Sequence, residues 1–231
     1  MCEKNRDFLY LIWKDPRSRR NFTVGKLSRG DTYSFEYCEE YERAKEVGWE
    51  FLKSFPEDRV YKSPSLFAAF ASRLPDPKRR NIEDILQKYG LSEYDAYELL
   101  RKSTGRLPID TYEFVDPIFP DDQTVEKEFY IVGIRHASGC CGKDCGRLPV
   151  AGLGDELVLQ LEPENEHDEF AVAAYTQRGE MLGYVPRYYS ESVSTRLGRG
   201  MTYTCRVIEV NEKDHDCENC LKVLLKMPKR Q

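Results

Sequence analysis

Residues 158–187, VLQLEPENEHDEFAVAAYTQRGEMLGYVPR, decide how the second half of this chain is read. An apolar run ends at Leu161 and a polar loop occupies residues 162–169. A second run covers 171–175 and turns at Arg178-Gly179, and a third leads into Gly183-Tyr184-Val185-Pro186-Arg187. Short runs rich in Val, Leu, Ala and Tyr, bounded by Gly-, Pro- and Asn-containing turns, specify strands rather than helices. Within the loop, Asn165 and Asp168 suit turns in which a side-chain oxygen accepts from nearby backbone N–H groups. The same two side chains also suit a ligand, and the residues alone leave both readings open.

Working outward, further strand-like runs lie at residues 129–135, 156–161, 202–210 and 221–226, with a helix only around 190–197. Evenly spaced short strands of this kind predict a small barrel or sandwich. The first half reads differently. Runs at 8–13, 22–27 and 32–37 are β-prone, and Arg29-Gly30-Asp31 is a hairpin signal. Apolar residues at helical spacing follow at 65–73, 82–89 and 93–102, bounded by Pro64, Pro75, Pro77 and Gly90, with Ser92 as an N-cap. Residues 113–127 hold two prolines and an acidic cluster and read as a linker. The expected fold is an α+β N-terminal domain, a small sheet plus three short helices, over residues 1–114. A linker at 115–127 and an all-β OB-like small barrel over 128–231 complete it.

The 231 residues are 40% hydrophobic, enough for two cores, and 32% charged, enough for solubility. No apolar run approaches the ~18 residues that would span a bilayer. The N-terminus lacks a signal-peptide pattern, so the expected location is cytoplasmic, with no membrane partner. The formal net charge is −5. From Glu128 onward 13 Lys+Arg face 16 Asp+Glu, so bulk attraction to phosphate is absent and any nucleic-acid contact must be local. Locally, Arg178, Arg187, Arg196, Arg199 and Arg206 oppose only Glu180 and Glu191. That +3 stretch reads either as a phosphate-contacting patch or as a solvated face. No G-x-S-x-G elbow, P-loop, H-E-x-x-H or kinase signature is present, which sets the chain apart from the commonest enzyme classes.

In a reducing compartment the eight cysteines read as thiols or metal ligands rather than as disulfides. Cys141-x₃-Cys145 and Cys217-x₂-Cys220 form turn-rich knuckles whose spacing lets four thiolates share one tetrahedral, structural Zn²⁺. The knuckles would meet if the strands at 129–135 and 221–226 are antiparallel neighbours. Unliganded thiols are the other reading. Cys140 or His215 are alternative ligands, and Cys2, Cys38 and Cys205 are bystanders.

Two resemblances add to this. The strand Val132-Gly133-Ile134-Arg135-His136, the loop Glu162-Pro163-x-Asn165-x-x-Asp168 and the element Gly183-Tyr184-Val185-Pro186-Arg187 together resemble the HIRAN domain family over residues 128–227. The resemblance implies an OB-type barrel that grips the 3′-hydroxyl end of single-stranded DNA. Arg135 would contact a phosphate, and Asp168 would accept from the 3′-hydroxyl. His136, His167 and Tyr184 would stack on or clamp the last nucleotides, with Asn165 and Arg187 completing the DNA-binding set. The family's tyrosine pair after the arginine is His136-Ala137 here, and its loop tyrosine is His167. Residues 8–116, including VGKLSRGDTYSFEY and the helical stretch after it, resemble the N-terminal subdomain of HipA-type toxin kinases. No kinase core follows. That implies a protein-interaction domain whose partner is a HipA-family kinase or another protein, and Lys78-Arg79-Arg80 reads as a solvated helix start or as a contact for that partner or for phosphate.

The expected function is a non-catalytic, zinc-supported adaptor for single-stranded DNA or DNA ends. The runner-up is an antitoxin-type regulator of a HipA-family kinase. A metal-dependent enzyme acting on DNA ends stands third, because four thiolates leave zinc no open position.

Overall fold

A computed structural model describes residues 7–121, 123–134, 150–211 and 220–229. The chain divides into two units, Met1–Pro117 and Ile118–Gln231.

In the first unit, β1 (Phe8–Lys14), β2 (Asn21–Arg29) and β3 (Tyr33–Tyr37) occupy the three β-prone runs, and β2 and β3 form the hairpin about Gly30. β4 (Tyr61–Ser63) and β5 (Tyr112–Val115) join the two edges, giving an antiparallel sheet in the order β4-β3-β2-β1-β5. The core lies on the face that carries Leu9, Leu11, Val24, Leu27 and Phe35. Phe35 packs edge-on against Phe70 with ring centroids 5.1 Å apart. Such arrangements add to plain area burial.

The predicted helices form as α2 (Ala68–Ala71), α3 (Ile82–Lys88) and α4 (Ala96–Ser103). α4 is capped by Asp95, not Ser92. Its carboxylate accepts from the backbone N–H groups of Tyr97 and Glu98, two donors a helix start leaves unpaired. A further helix, α1 (Glu40–Glu46), was not predicted. Ala44 is its one buried residue, so it presents no apolar period to read.

The second unit is mostly strand. β6 (Val125–Tyr130), β11 (Leu221–Met227) and β10 (Thr204–Val210) form one antiparallel sheet in the order β10-β11-β6. β7 (Val158–Leu161), β8 (Val172–Tyr175) and β9 (Met181–Tyr184) form another, with the β8–β9 turn at Gly179. Among the described residues the sheets do not close into one continuous ladder. Isolated bridges, Val132 with Tyr184 and Glu156 with Arg206, stitch them at two places. α5 (Arg187–Gly198) buries Tyr189, Ser190, Val193 and Arg196. The fully buried centre includes Ile131, Val172, Leu182, Leu221, Val223 and Leu225. Among the described residues, no helix is long and apolar enough to cross a membrane.

The stretch at 113–127 that reads as a linker is structured at both ends, by the end of β5 and the start of β6. The acidic residues that disguise β6 face lysines of β11: Glu126 meets Lys226 at 2.9 Å and Glu128 meets Lys222 at 2.7 Å. Val125 and Phe129 turn inward on the opposite face. Between the strands, the Phe119 carbonyl accepts from Arg196 Nε at 2.9 Å and the Gln123 carbonyl from Nη1 at 2.8 Å.

Candidate functional site

The loop between β7 and β8 is built by its own polar side chains. Asn165 Oδ1 accepts from the backbone N–H groups of His167 (3.0 Å) and Asp168 (3.3 Å), the turn its residue type favours. Because that oxygen faces two donors, the Asn165 amide nitrogen must face acceptors. It donates to Glu162 Oε2 at 3.2 Å and to the Tyr184 hydroxyl at 3.4 Å. The loop base is closed by Glu162 N–H to the Ala171 carbonyl, 2.9 Å, and by Ala171 N–H to the Asp168 carbonyl, 2.9 Å.

Asp168 has one acceptor contact on each carboxylate oxygen. Oδ1 accepts from Phe170 N–H at 3.0 Å, and Oδ2 lies 2.7 Å from Ser190 Oγ, which donates to it from the first turn of α5. Each oxygen keeps a lone pair, and Asp168 is half-buried at the loop surface. Arg187, half-buried, begins α5, and its carbonyl lies 2.8 Å from the same Ser190 hydroxyl. Tyr184 ends β9 with its hydroxyl donating to Glu162 Oε2 at 3.0 Å. Burial, reinforced by the Glu162 carboxylate, raises its phenol above the ordinary value. Tyr175 donates to Glu162 Oε1 at 3.3 Å and is raised for the same reasons.

The backbone of Tyr184 is also the seam between the two sheets. Val132 N–H donates to its carbonyl at 2.9 Å, and Tyr184 N–H donates back at 2.8 Å. This exchange needs Gly183, whose φ is +145°. A Cβ there would stand 2.3 Å from the Val132 carbonyl oxygen. The segment leading toward Arg135 therefore lies against Tyr184.

The structure thus brings Asn165, Asp168 and Tyr184 into one hydrogen-bonded network, attaches Arg187 to it through Ser190, and leaves His167 exposed on the same loop. Arg135 and His136 lie outside the described residues. So do Cys141, Cys145 and Cys217 of the metal set, and Cys2, Cys140 and His215. Cys220 is described, immediately before β11. Among the described residues no group of three or more His, Cys, Asp or Glu side chains is arranged to hold a metal. The thiols of Cys38 and Cys205 are pushed up to about 12 by burial, which keeps both protonated and unreactive near neutrality.

The arginine patch dissolves in three dimensions. Arg196 is 1% exposed and bonded to backbone carbonyls and Asp121. Arg199 donates to the Pro120 carbonyl at 2.8 Å, and Arg206 pairs with Glu156 at 3.0 Å. These three guanidinium groups hold the fold's own acceptors. Glu162 and Ser190, which organise the loop, are not among the site residues the sequence points to. Glu162 belongs to the quoted loop motif, whereas Ser190 carries no signal, being one serine on a helix face.

A family model described as HIRAN domain matches residues 105–227, more than half of the chain. The chain belongs to the HIRAN domain family. A second model, HipA N-terminal domain, matches residues 19–108. No curated protein matches. Among solved structures, a Lactobacillus plantarum protein from a structural-genomics programme is 21% identical, covering 46% of this chain and 97% of its own, with a TM-score of 0.38. The HIRAN domain of human HLTF is 14% identical, covering 46% of this chain and 74% of its own, with a TM-score of 0.32. The HIRAN match spans all the described residues of the candidate site, and the HipA-type match spans β2 to β4 and α1 to α4.

Proposed function

We propose that the HIRAN domain of this chain binds single-stranded DNA at its 3′-hydroxyl end, as a binding module without a reaction of its own. The observation that carries this reading is the single network uniting Asn165, Asp168 and Tyr184 beside the segment that leads to Arg135. A carboxylate is an acceptor only. Asp168, with a lone pair left on each oxygen, suits a terminal hydroxyl that donates and repels a terminal phosphate by like charge. Tyr184 and His167 supply rings for the last bases, a contact worth ~1–3 kcal/mol per base. Arg135 and His136 take the phosphate and ring roles that the family resemblance gives them.

Fluorescence anisotropy with short oligonucleotides ending in a 3′-hydroxyl or a 3′-phosphate tests the reading. We expect the hydroxyl end to bind tighter by roughly tenfold, the effect of about 1.4 kcal/mol, and Asp168→Ala to erase that difference. Equal affinity of the wild-type chain for both ends overturns the proposal.

A structural Zn²⁺ held by Cys141, Cys145, Cys217 and Cys220 belongs to the same reading. It is supported by the antiparallel pairing of β6 and β11, in which Ile131 N–H donates to the Leu221 carbonyl at 2.9 Å. The chain leaving β6 and the chain arriving from Cys220 are neighbours at one end of the sheet. Bound there, zinc would crosslink the two connections and supply no open position for chemistry. Elemental analysis after dialysis should give about one zinc per chain; a metal-free, folded protein removes the ion from the account.

The HipA N-terminal domain match favours a further element: the first unit binds protein, its partner a HipA-family kinase, and the whole works as a cytoplasmic adaptor. Size-exclusion chromatography of the chain mixed with a purified kinase of that family should show a joint peak. If such a kinase loses activity on mixing, the antitoxin-type regulator is the better description. If the two elute separately, the kinase partner is removed from the reading.

A further inference from the structure

Three donors converge on one side chain beside the candidate site. Glu162 Oε2 accepts from the Tyr184 hydroxyl at 3.0 Å and from Asn165 Nδ2 at 3.2 Å, and Oε1 accepts from the Tyr175 hydroxyl at 3.3 Å. The donors come from β8, β9 and the loop, so this carboxylate ties together the pieces that carry Asn165, Asp168 and Tyr184.

Its effect on Asn165 follows from hydrogen-bond polarity. An asparagine amide has an accepting end and a donating end, and reversing it exchanges the two. With Glu162 in place the NH₂ end is drawn to Oε2, which leaves Oδ1 facing the N–H groups of His167 and Asp168. Those two bonds shape the turn from which Asp168 presents its carboxylate. Without an acceptor at Glu162, the amide nitrogen keeps only its 3.4 Å contact to the Tyr184 hydroxyl, and the two backbone N–H groups alone hold the orientation. The Tyr184 ring, hinged at the seam with Val132, loses the bond that fixes its outer end. Buried or half-buried networks of this kind act as units, because each bond orients the next.

We infer that Glu162 is a positioning residue. It sets the Asn165 amide and the Tyr184 ring so that the 165–168 turn holds Asp168 in its end-recognising geometry. The consequence for DNA rests on the function proposed above. The positioning itself does not, and the two are measured separately.

Amide hydrogen exchange on the full chain reads the positioning without any ligand. In Glu162→Ala the His167 and Asp168 amides should exchange roughly tenfold faster while the β8 amides keep their protection, the pattern of local rather than global opening. Glu162→Gln should stay within about threefold of wild type, because its amide oxygen can accept from Tyr184 and Asn165 while its NH₂ donates to a reoriented Tyr175 hydroxyl. Should Glu162→Ala unfold, Glu162→Met is the second variant: it keeps the length of the side chain, removes the carboxylate acceptor and should release the same amides. Unchanged exchange at His167 and Asp168 in a folded Glu162→Ala or Glu162→Met chain overturns the inference.

The hydroxyl-to-phosphate affinity ratio then reads the consequence for DNA. Glu162→Ala should bring it to within about twofold of unity and Glu162→Gln should preserve it, whereas a purely structural role would lower the melting temperature and leave the ratio alone. If the wild-type chain shows no end preference, the proposed function fails while the exchange result still decides the role of Glu162. A wild-type preference retained in Glu162→Ala overturns the link from Glu162 to end recognition alone.

Discussion

At Gly183 the chain has no room for a side chain. A Cβ would overlap the Val132 carbonyl oxygen, and the positive φ adds its own strain to any L residue. Gly183→Ala should therefore cost roughly 2–4 kcal/mol, seen as an earlier denaturant midpoint for the second unit. Oligonucleotide binding should weaken in the surviving folded fraction, because the Tyr184 seam is what yields. Arg196 is a second residue of this kind. Its guanidinium is buried with the Phe119 and Gln123 carbonyls and the Asp121 carboxylate as acceptors. Arg196→Met leaves those acceptors without their donor, at a cost of about 3–5 kcal/mol by analogy with broken buried pairs. Arg196→Lys restores the charge but lacks the planar fork and should recover only part of it. The sequence could not distinguish Arg196 from the exposed Arg178. Charge is visible in a sequence, but a guanidinium surrounded by backbone carbonyls is not.

Among the elements, α2 and β5 are fastened by an ion pair that pH can test. Arg73, just beyond α2, donates to both carboxylate oxygens of Asp110 at 2.8 Å each and to the Gly105 carbonyl at 2.7 Å, while Asp110 also accepts from Tyr112 N–H at 3.1 Å. Partial burial opposes ionisation of Asp110, but the Arg73 and backbone bonds outweigh it and hold the carboxyl below its ordinary value. A lowered folded value means the contribution is complete above the unfolded pKa of about 3.9 and is lost as pH falls through the lower folded value. Both tryptophans, Trp13 and Trp49, are buried in the first unit and report its unfolding. Urea midpoints followed by their fluorescence should hold from pH 7 to about 5 and then fall. Asp110→Asn should lower the neutral-pH stability by on the order of 1–2 kcal/mol and flatten the acid limb. β1 to β3, β7 to β11, α3 and α4 were legible because their apolar residues recur at periods of two or of three to four, whereas the short edge strands β4 and β5 were not. α1, with one buried alanine, was not. β6 was masked because its outward residues are glutamates whose lysine partners lie about a hundred positions later, on β11. In the candidate site the loop residues were legible as a motif. Their grouping with Ser190 and Tyr175 depends on contacts between elements, which local pattern does not encode.

At the scale of the whole chain, charge sets how DNA can be held. A net charge of −5 gives no general attraction to a polyanion. Arg196, Arg199 and Arg206, which form a basic run in sequence, are engaged by the fold's own carbonyls and carboxylates. Under the proposed function the cationic members of the DNA-binding set are Arg135 and Arg187, and about two neutralised phosphates on a single strand imply a slope of log K against log salt near −1.4. Anisotropy titrations with a hydroxyl-ended oligonucleotide across a range of salt should return that shallow slope, and Arg187→Ala should reduce it by about 0.7. A slope steeper than about −3 would require four or more phosphates and would point to a broad coating mode at odds with end recognition. The same measurement on Asp168→Ala separates the two energy terms: its slope should match wild type while its preference for the hydroxyl end vanishes, because Asp168 contacts the terminus and neutralises no phosphate.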